Sequence, residues 1–506
     1  MARIYVVEPG TTGGVGAMGM RILVSCLRKK GHEVRRVRFY RKQAAQQSSL
    51  FANPSEECAD AVGLARPDAW FVSLLHVRQF WDLPDMFRRM GLALRADKRT
   101  DTDPLVAFGG SSMIQPEPIA DFADVVALGD GEVTGVRIAA MLDSGQAKSD
   151  IMRELDGERG FWVPMRNPEG ALVRVESPMR DPWIKTGADE QSNHTIELAR
   201  GCESKCVFCP IGWAGGTYRE TPIAQLKETI SLLSGKRVNF FAPDYSSVSY
   251  VTELEQSIAR FGCKNSSRDA RLDAAWRQLK DGHGIKSYSF GVEGMSERLR
   301  EAVGKPIKRE RILDVMRALQ AGGVNCVRWY MILALPGETD ADAREFLDLV
   351  RDTREVYRGR LDISTTHLHG IAHTPLQWID GHYSEAAEAR QRLLFDTCKE
   401  WNIAGRKGDA DRGCEVYFAN WTKRLKHDSD GYMYRAGREA AGVIEQVNSV
   451  AAKVEDGRWT EGADVEGVLR AKEITEILPW DHVDVGTNRR LVLRAWATFQ
   501  RKVGLQ

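Results

Sequence analysis

The sequence predicts an α/β chain: two successive parallel, helix-covered sheets followed by a mostly helical extension. Three observations carry this. Short β-rich runs alternate with helical patterns from residue 1 to about 145. The alternation breaks, then resumes from about 192 to 380. Beyond about 384 most of the text has helical patterning. The expected organisation is a doubly wound Rossmann-type domain at 1–145, a linker with a hairpin at 146–191, a β/α partial barrel at 192–380 and a helical extension at 381–506.

In the first region RIYVV, EVRRVRF, AWFVSLL, PLVAFGG and DVVALGD read as strands, with helices over Met18–Lys30 and Leu83–Ala96. GVGAMG at 14–19 fits the dinucleotide pattern G-x-G-x-x-G. However, the turn after Val7 is long, and the next strand ends in Arg36, Arg38 and Tyr40 with no acidic residue for a ribose. A glycine-rich loop at a sheet edge is the preferred reading, with a nicotinamide oxidoreductase as the competing one. In the linker, FWVPMRNPEGALVRVES has two short β-rich runs around Asn-Pro-Glu-Gly, which suits a hairpin. In the second region HTIELAR, VNFFAP, IKSYSFGVE, VNCVRWYMILALPG and LDISTTHLHG read as strands, with helices over Ile223–Leu233, Lys308–Ala321 and Ala341–Val356. Helices over Glu385–Trp401, Ala436–Val454 and Arg489–Lys502 make up the extension, whose Trp401, Trp421, Trp459 and Trp480 are read mainly as packing.

Bulk properties narrow the function classes. The 506 residues are 43% hydrophobic and 28% charged, as expected of a chain that buries large cores. Lys plus Arg total 71 against 70 for Asp plus Glu, so no global charge favours nucleic acid or an anionic membrane. No apolar run approaches a membrane span, and MARIYVVEPG reads as a strand rather than a signal peptide, so a cytoplasmic protein is expected. Nine cysteines, an odd number in a long chain, suggest free thiols plus a metal cluster.

The sharpest motif is RGCESKCVFCP at 200–210, with Cys202, Cys206 and Cys209 in C-x-x-x-C-x-x-C spacing after a predicted strand. Active sites gather at that edge of a parallel β/α domain. Three thiolates on one loop suit an iron–sulfur cubane whose fourth iron is left for another ligand. The competing reading is a zinc knuckle in a nucleic-acid-binding protein, but no histidine lies between 195 and 282 to complete it. Cys26, Cys58, Cys263, Cys326, Cys398 and Cys414 show no C-x-x-C spacing that would signal a second cluster.

With Phe208 before its last cysteine, the motif resembles that of the radical S-adenosylmethionine (SAM) enzymes. The resemblance implies a [4Fe–4S] cluster on Cys202, Cys206 and Cys209, with SAM chelating the unique iron and an electron donor such as flavodoxin or ferredoxin. It places cofactor contacts at Asp244 in NFFAPD, at Ser267, Arg268 and Arg271, at Gly291 and Glu293 in SFGVEG, and around Leu335 in LALPGET. Ordinary turn or helix-cap roles compete for Asp244, Glu293 and Glu338. His367, His369 and His373 cluster at the last strand end as a candidate proton donor or substrate site.

The phrases GMRILVSCLRKKGHEV, PDAWFVSLL and FGGSSMIQPEPIADFADVVALGDGE make the N-terminal region similar to the cobalamin-binding type of domain fused ahead of radical SAM barrels. Together with HTPLQW and LPWDHVDVG they resemble an uncharacterised cobalamin-domain family. An Asp-x-His-x-x-Gly motif for cobalt is absent, so cobalamin is an optional cofactor. Its expected lining is Gly10–Gly16, Ser73–His76, and Gly109, Gly110 and onward to Ser112, with Gly129–Glu132 as a further candidate. The resemblance implies methyl transfer to an unactivated centre when cobalamin binds, and radical rearrangement, oxidation or sulfur insertion when it does not. The substrate is not readable.

Overall fold

The computed structural model describes residues 1–10, 18–40, 65–75, 79–80, 83–179, 183–185, 194–263, 267–272, 286–368, 370–380, 384–401, 404–407 and 471–505. Two compact units emerge. One is Met1–Pro178 with Phe418–Thr487; the other is Met179–Tyr417 with Asn488–Gln506.

The first unit is built on β1 (Arg3–Gly10), β2 (Glu33–Tyr40), β3 (Ala69–Ser73), β4 (Leu105–Gly109), β5 (Val125–Ala127) and β6 (Phe161–Trp162). They form one sheet of order β2-β1-β3-β4-β5-β6, parallel except for β6. All five strands expected from the hydrophobic runs are present. The order reverses at β1, so the switch point lies between β1 and β3, where open α/β sheets place ligands. Helices Met18–Lys29 and Gly131–Asp143 pack together, and their Met20, Val24, Leu27, Ile138 and Ala139 join Ile4, Val6, Phe71 and Ala107 in one core. The helix from Leu83 ends at Met90, short of the expected Ala96.

The expected hairpin around Asn-Pro-Glu-Gly is not formed. β6 pairs with β5, whereas β7 (Leu172–Val173) pairs in parallel with Val483–Asp484 from the late phrase LPWDHVDVG. A two-residue strand gains little from a local partner, and here both halves find longer-range ones. His482 sits edge-on to Trp162 at 5.0 Å, with its Nε2 3.5 Å from Glu117 Oε1, so the phrases around 117 and 482 meet.

The second unit begins with β8 (Trp183–Lys185), β9 (His194–Glu197), β10 (Ala199–Arg200) and β11 (Arg219–Glu220). Then come β12 (Val238–Phe241), β13 (Ser267–Ala270), β14 (Ser287–Glu293), β15 (Cys326–Leu333), β16 (Arg360–His367) and β17 (Ala404–Lys407). β9 and β12 pair in parallel, with β8 antiparallel on the other edge of β9. β13 to β17 form a parallel sheet in chain order. The six strands β9, β12, β13, β14, β15 and β16 follow the order of a partial barrel, with the ladder interrupted between β12 and β13. Their outer faces carry the cores: Ile196, Leu198 and Val238 under helices Ile223–Leu232 and Val251–Arg260, and Phe290, Trp329, Met331 and Ile363 under Arg309–Ala321 and Asp340–Val356.

Among the described residues the extension is mostly helical, as expected. Helices Glu385–Glu400 and Arg489–Val503 are present, but Ala404–Lys407 adds an edge strand beside β16. Its text, AGRK, has no apolar alternation; it is recruited by the exposed backbone of the neighbouring strand. The predicted helix Ala436–Val454, with Trp421 and Trp459, lies outside the described residues, as do positions 14–17 of the glycine motif, Cys58, His76, His369 and Cys414. Among the described residues no helix is long and apolar enough to cross a membrane.

Phe346 is fully buried against Trp329, with ring centroids 6.2 Å apart. Phe346→Ala should therefore lower the stability of the second unit by about 3–5 kcal/mol, read as a fall in the midpoint of urea unfolding monitored by tryptophan fluorescence.

Candidate active site

The three cysteines lie on a loop closed at its base. β10 pairs antiparallel with β11, tying residue 200 to residue 219. Gly201 turns the chain with φ +71°, and a Cβ there would lie 2.7 Å from Thr217 O, so only glycine fits. The buried Glu197–Arg200 ion pair, 2.8 Å, and Thr221 Oγ1 donating to Glu197 O at 2.7 Å brace the same base. Beyond it, Cys206 is buried while Cys202 and Cys209 are half-buried, and none is in a disulfide. The Cys206 carbonyl accepts from Cys209 N at 3.1 Å and from Trp213 Nε1 at 2.9 Å. Cys209 precedes the short helix Pro210–Ala214, and the Ile211 and Gly212 N–H groups reach its sulfur.

Burial pushes the Cys206 thiol up from its ordinary range; the Lys305 and Arg271 cations oppose it, and Glu293 and Cys202 add to it. Burial likewise raises Cys209, against the backbone N–H donors. Arg271, just after β13, points its Nη1 at Cys206 Sγ, 3.7 Å away. Its backbone N donates to Ser246 Oγ at 3.2 Å. Ser246 and Ser247 in turn donate to the Asp244 carboxylate, which accepts Ser246 N at 3.0 Å. Asp244 thus caps the turn Tyr245–Ser247, and through Ser246 that turn braces the Arg271 backbone beside the cysteine loop across the gap in the ladder. Ser267 and Arg268 lie in β13, beside Ser287 and Tyr288 of β14.

Lys305 collects the remaining predicted residues. Its Nζ donates to Glu293 Oε1 at 2.9 Å and to Gly291 O at 3.0 Å, and stands 6.0 Å from the Phe208 ring centroid. The stretch before it rests on the cysteine loop, with Val207 N donating to Val303 O at 3.1 Å. Glu293 has φ +68°, a conformation disfavoured outside glycine, and Ala334 and His373 share it at 61° and 62°. Such strain gathers at functional sites, and here it sits at or just beyond the ends of β14, β15 and β16. The cap of the helix after Glu293 is Ser296, whose Oγ accepts Leu299 N, so Glu293 is not that cap. Sequence reading missed Lys305: a lysine after a helix carries no pattern of its own.

Leu335 is buried at the end of β15. The cap of the next helix is Thr339 with Asp342, and Glu338 instead pairs with Arg390 Nε at 2.9 Å. Burial raises the Glu338 carboxyl above the usual carboxylate range, with Arg390 opposing. His373 N donates to Gln377 Oε1 at 2.8 Å, but the side chains of His367 and His369 lie outside the described residues. Among the described residues no three His, Cys, Asp or Glu are arranged to hold a single metal ion.

In the first unit Gly10, Ser73 and Gly109 close β1, β3 and β4, as predicted strand ends. Gly110 has φ +104°, and its missing Cβ makes room for Leu74 O, 2.4 Å from where it would stand. Gln79 bridges the switch point: its Nε2 donates to Pro9 O and its Oε1 accepts Leu75 N, both at 2.6 Å. Gly129 is bridged to Val175, which covers it.

Residues 196–350 match the profile of the Radical SAM superfamily, so the second unit carries a radical SAM core. Residues 19–164 match the profile of the N-terminal region of radical SAM proteins, and the chain belongs to the radical SAM superfamily in a form that carries this region. Membership implies a [4Fe–4S] cluster and SAM. The chain is 25% identical over 317 residues to the uncharacterized protein MJ0966 of Methanocaldococcus jannaschii, covering 61% of this chain and 68% of that one. It is 26% identical over 178 residues to the ribosomal protein uS12 methylthiotransferase RimO of Chlorobaculum tepidum, spanning 31% of this chain and only 41% of the relative. In fold it is similar to the cobalamin-dependent SAM radical enzyme OxsB, with TM-score 0.50 and 12% identity over 100% of this chain and 80% of that one.

Replacing Arg390 by methionine strands the Glu338 carboxylate in a buried site, which should cost about 3–5 kcal/mol at pH 8. Because the Glu338 carboxyl titrates above its unfolded value, the cost shrinks as pH falls and the group takes up a proton. Urea unfolding of R390M and the native chain at pH 8 and pH 5 checks this; a deficit that does not shrink at pH 5 contradicts it.

Proposed function

We propose that Cys202, Cys206 and Cys209 bind three irons of a [4Fe–4S] cluster and that SAM completes the fourth. The observation that carries the reading is the cysteine loop itself. Its three thiols are free of disulfides, and two cations, Arg271 and Lys305, act on the most buried of them. Thiolate donors with no fourth protein ligand in the motif suit a cluster with one open iron. When bound and given one electron by an external reductant, the cluster and SAM would supply a 5′-deoxyadenosyl radical, with methionine as the leaving group.

The chain's own residues bind and aim. Arg271 donates toward Cys206 and offsets the charge of the thiolates. Glu293, fixed by Lys305 at the end of β14, presents a carboxylate for the ribose hydroxyls or the ammonium of SAM. Phe208 shields the loop on the Lys305 side, and the turn after β15 at Leu335, held by Glu338 N donating to Leu335 O at 2.9 Å, is the expected place for the adenine.

We further propose that the first unit binds cobalamin at the C-terminal ends of β1, β3 and β4, with Gly10, Ser73, Gly109 and Gly110 as its lining. The 2-1-3-4-5 parallel order and the likeness in fold to OxsB, described as binding aqua-cobalamin, support this. The reaction is then methyl transfer to an unactivated centre of the substrate. RimO, described as a methylthiotransferase, favours the second reading, sulfur insertion without cobalamin.

Anaerobic reconstitution should give about four irons and four sulfides per chain and, on reduction, a cluster signal by electron paramagnetic resonance. SAM should shift that signal and be cleaved to 5′-deoxyadenosine. Cys206→Ser should lose both; a variant that keeps the signal and cleaves SAM refutes the assignment. Glu293→Gln should keep its iron while weakening SAM binding roughly tenfold, about 1.4 kcal/mol, as read by titrating the cluster signal. Cobalt retained after desalting from hydroxocobalamin supports methyl transfer; its absence favours sulfur insertion.

A further inference from the structure

The inner face of the barrel sheet is not packed like its outer face. Along β15, Val327, Trp329, Met331 and Leu333 are buried under helices, whereas Arg328 and Tyr330 face the other way and stay open, Tyr330 at 40% exposure. Register explains the openness. Tyr330 is flanked by Gly291 on β14 and Ser364 on β16, and Arg328 by Ser289 and Asp362. Small neighbours leave the tyrosine ring uncovered. On β12, Phe241 is 50% exposed. An ordinary eight-stranded barrel fills its interior with layers of bulky branched side chains; among the described neighbours of Arg328 and Tyr330 on β14 and β16 there are none.

The charges on this face are unequal. Asp362, with its side chain 1% exposed, accepts Arg360 Nε at 2.8 Å, while Arg328 reaches it only at 3.5 Å. Among the described residues, two guanidiniums approach this carboxylate. Arg328 lies beside Tyr330 on the same face of β15, its Nε is buried with no hydrogen-bond partner among the described residues, and a third of its side chain is exposed. A partly exposed guanidinium beside an exposed phenol, on an open concave face, is chemistry for a planar or tetrahedral oxyanion. Arg328 lies three residues before Met331, the register partner of Glu293, hence roughly 10 Å below the edge that carries the cysteine loop.

We propose that the substrate is an anion, bearing a carboxylate or a phosphate group, which it seats on Arg328 and Tyr330 inside the barrel. The anionic group docks at depth, and the reacting end of the molecule is left at the C-terminal edge. This deepens the radical-enzyme reading and rests on it for the identity of the ligand as substrate, but the anion site itself is separately measurable.

The test is calorimetric titration of anaerobically reconstituted protein with sodium phosphate and, in a second arm, sodium acetate. Saturable binding of one of them is expected. Arg328→Gln should weaken it at least tenfold, Arg328→Lys should restore part of it, and Tyr330→Phe should weaken it severalfold. Arg317→Gln, on an exposed helix position, should leave it unchanged. Stronger binding of phosphate identifies a phosphorylated substrate, and stronger binding of acetate a carboxylate. The proposal is overturned if neither anion saturates the native protein, or if folded R328Q and Y330F, judged by circular dichroism, bind as the native chain does. Anion binding without any cluster signal would instead remove the radical reading and leave the anion site standing.

Discussion

Everything at this site depends on holding three thiolates within eight residues of chain while keeping one of them buried. Burial disfavours the charged form of a thiol, and neighbouring thiolates make it worse. Opposite unit charges about 4 Å apart near a protein surface interact by roughly 4 kcal/mol, so a cation placed beside the loop outweighs much of that penalty. The fold brings two. Arg271 comes from the end of β13 and Lys305 from the turn after the helix Glu297–Ala302. Neither belongs to the cysteine loop. The loop therefore has its counter-charges only once the sheet beneath it is assembled.

Lys305 carries a second consequence. A lone ammonium over the loop would be free to move among the thiolates. Glu293 and the Gly291 carbonyl fix it instead, at the cost of a left-handed backbone at Glu293. The strain is tolerated because the ion pair is largely sheltered from water and the hydrogen bonds are charge-assisted. The same pair keeps the Glu293 carboxylate at the strand end, where a cofactor's donors are expected. Structural and functional readings of this glutamate are thus not alternatives. It is held by one cation and, in the proposed function, presented to another ligand.

What the sequence made legible follows from which forces were local. The strands β1, β3, β4, β14, β15 and β16 were readable because their outer faces must be apolar to pack under helices, and that requirement writes itself into the text. The cysteine spacing was readable because all three thiols sit on one short loop, close together in the text. β13 was not, since SRDA is four residues with no apolar alternation and is specified by its neighbour β14. Glu338 looked like a helix-terminal acid because it precedes a helix. Its partner is Arg390, fifty-two residues on, and nothing near it in the chain announces that. The hairpin at Asn-Pro-Glu-Gly failed for a similar reason: turn residues were present, but each short strand had a better partner far away in sequence.

Gly291 shows how the Glu293–Lys305 ion pair and the inner face of the sheet are coupled. A Cβ at that position would lie 2.2 Å from Glu293 Oε1 and 2.3 Å from Lys305 Nζ, so any side chain there displaces the ion pair that steadies the cysteine loop. The same missing Cβ leaves Tyr330, its register partner on β15, without a covering neighbour. One glycine therefore makes room for the charges beside the cysteine loop and for an open face at Tyr330. Reactive intermediates demand an enclosed site, yet an interior filled with branched side chains would leave no space for the molecule they attack. Placing the small residues Gly291 and Ser364 beside Tyr330 eases the conflict between the two demands. The helices supply the stability that the inner face gives up, and the space they leave is where substrate chemistry has to be sought.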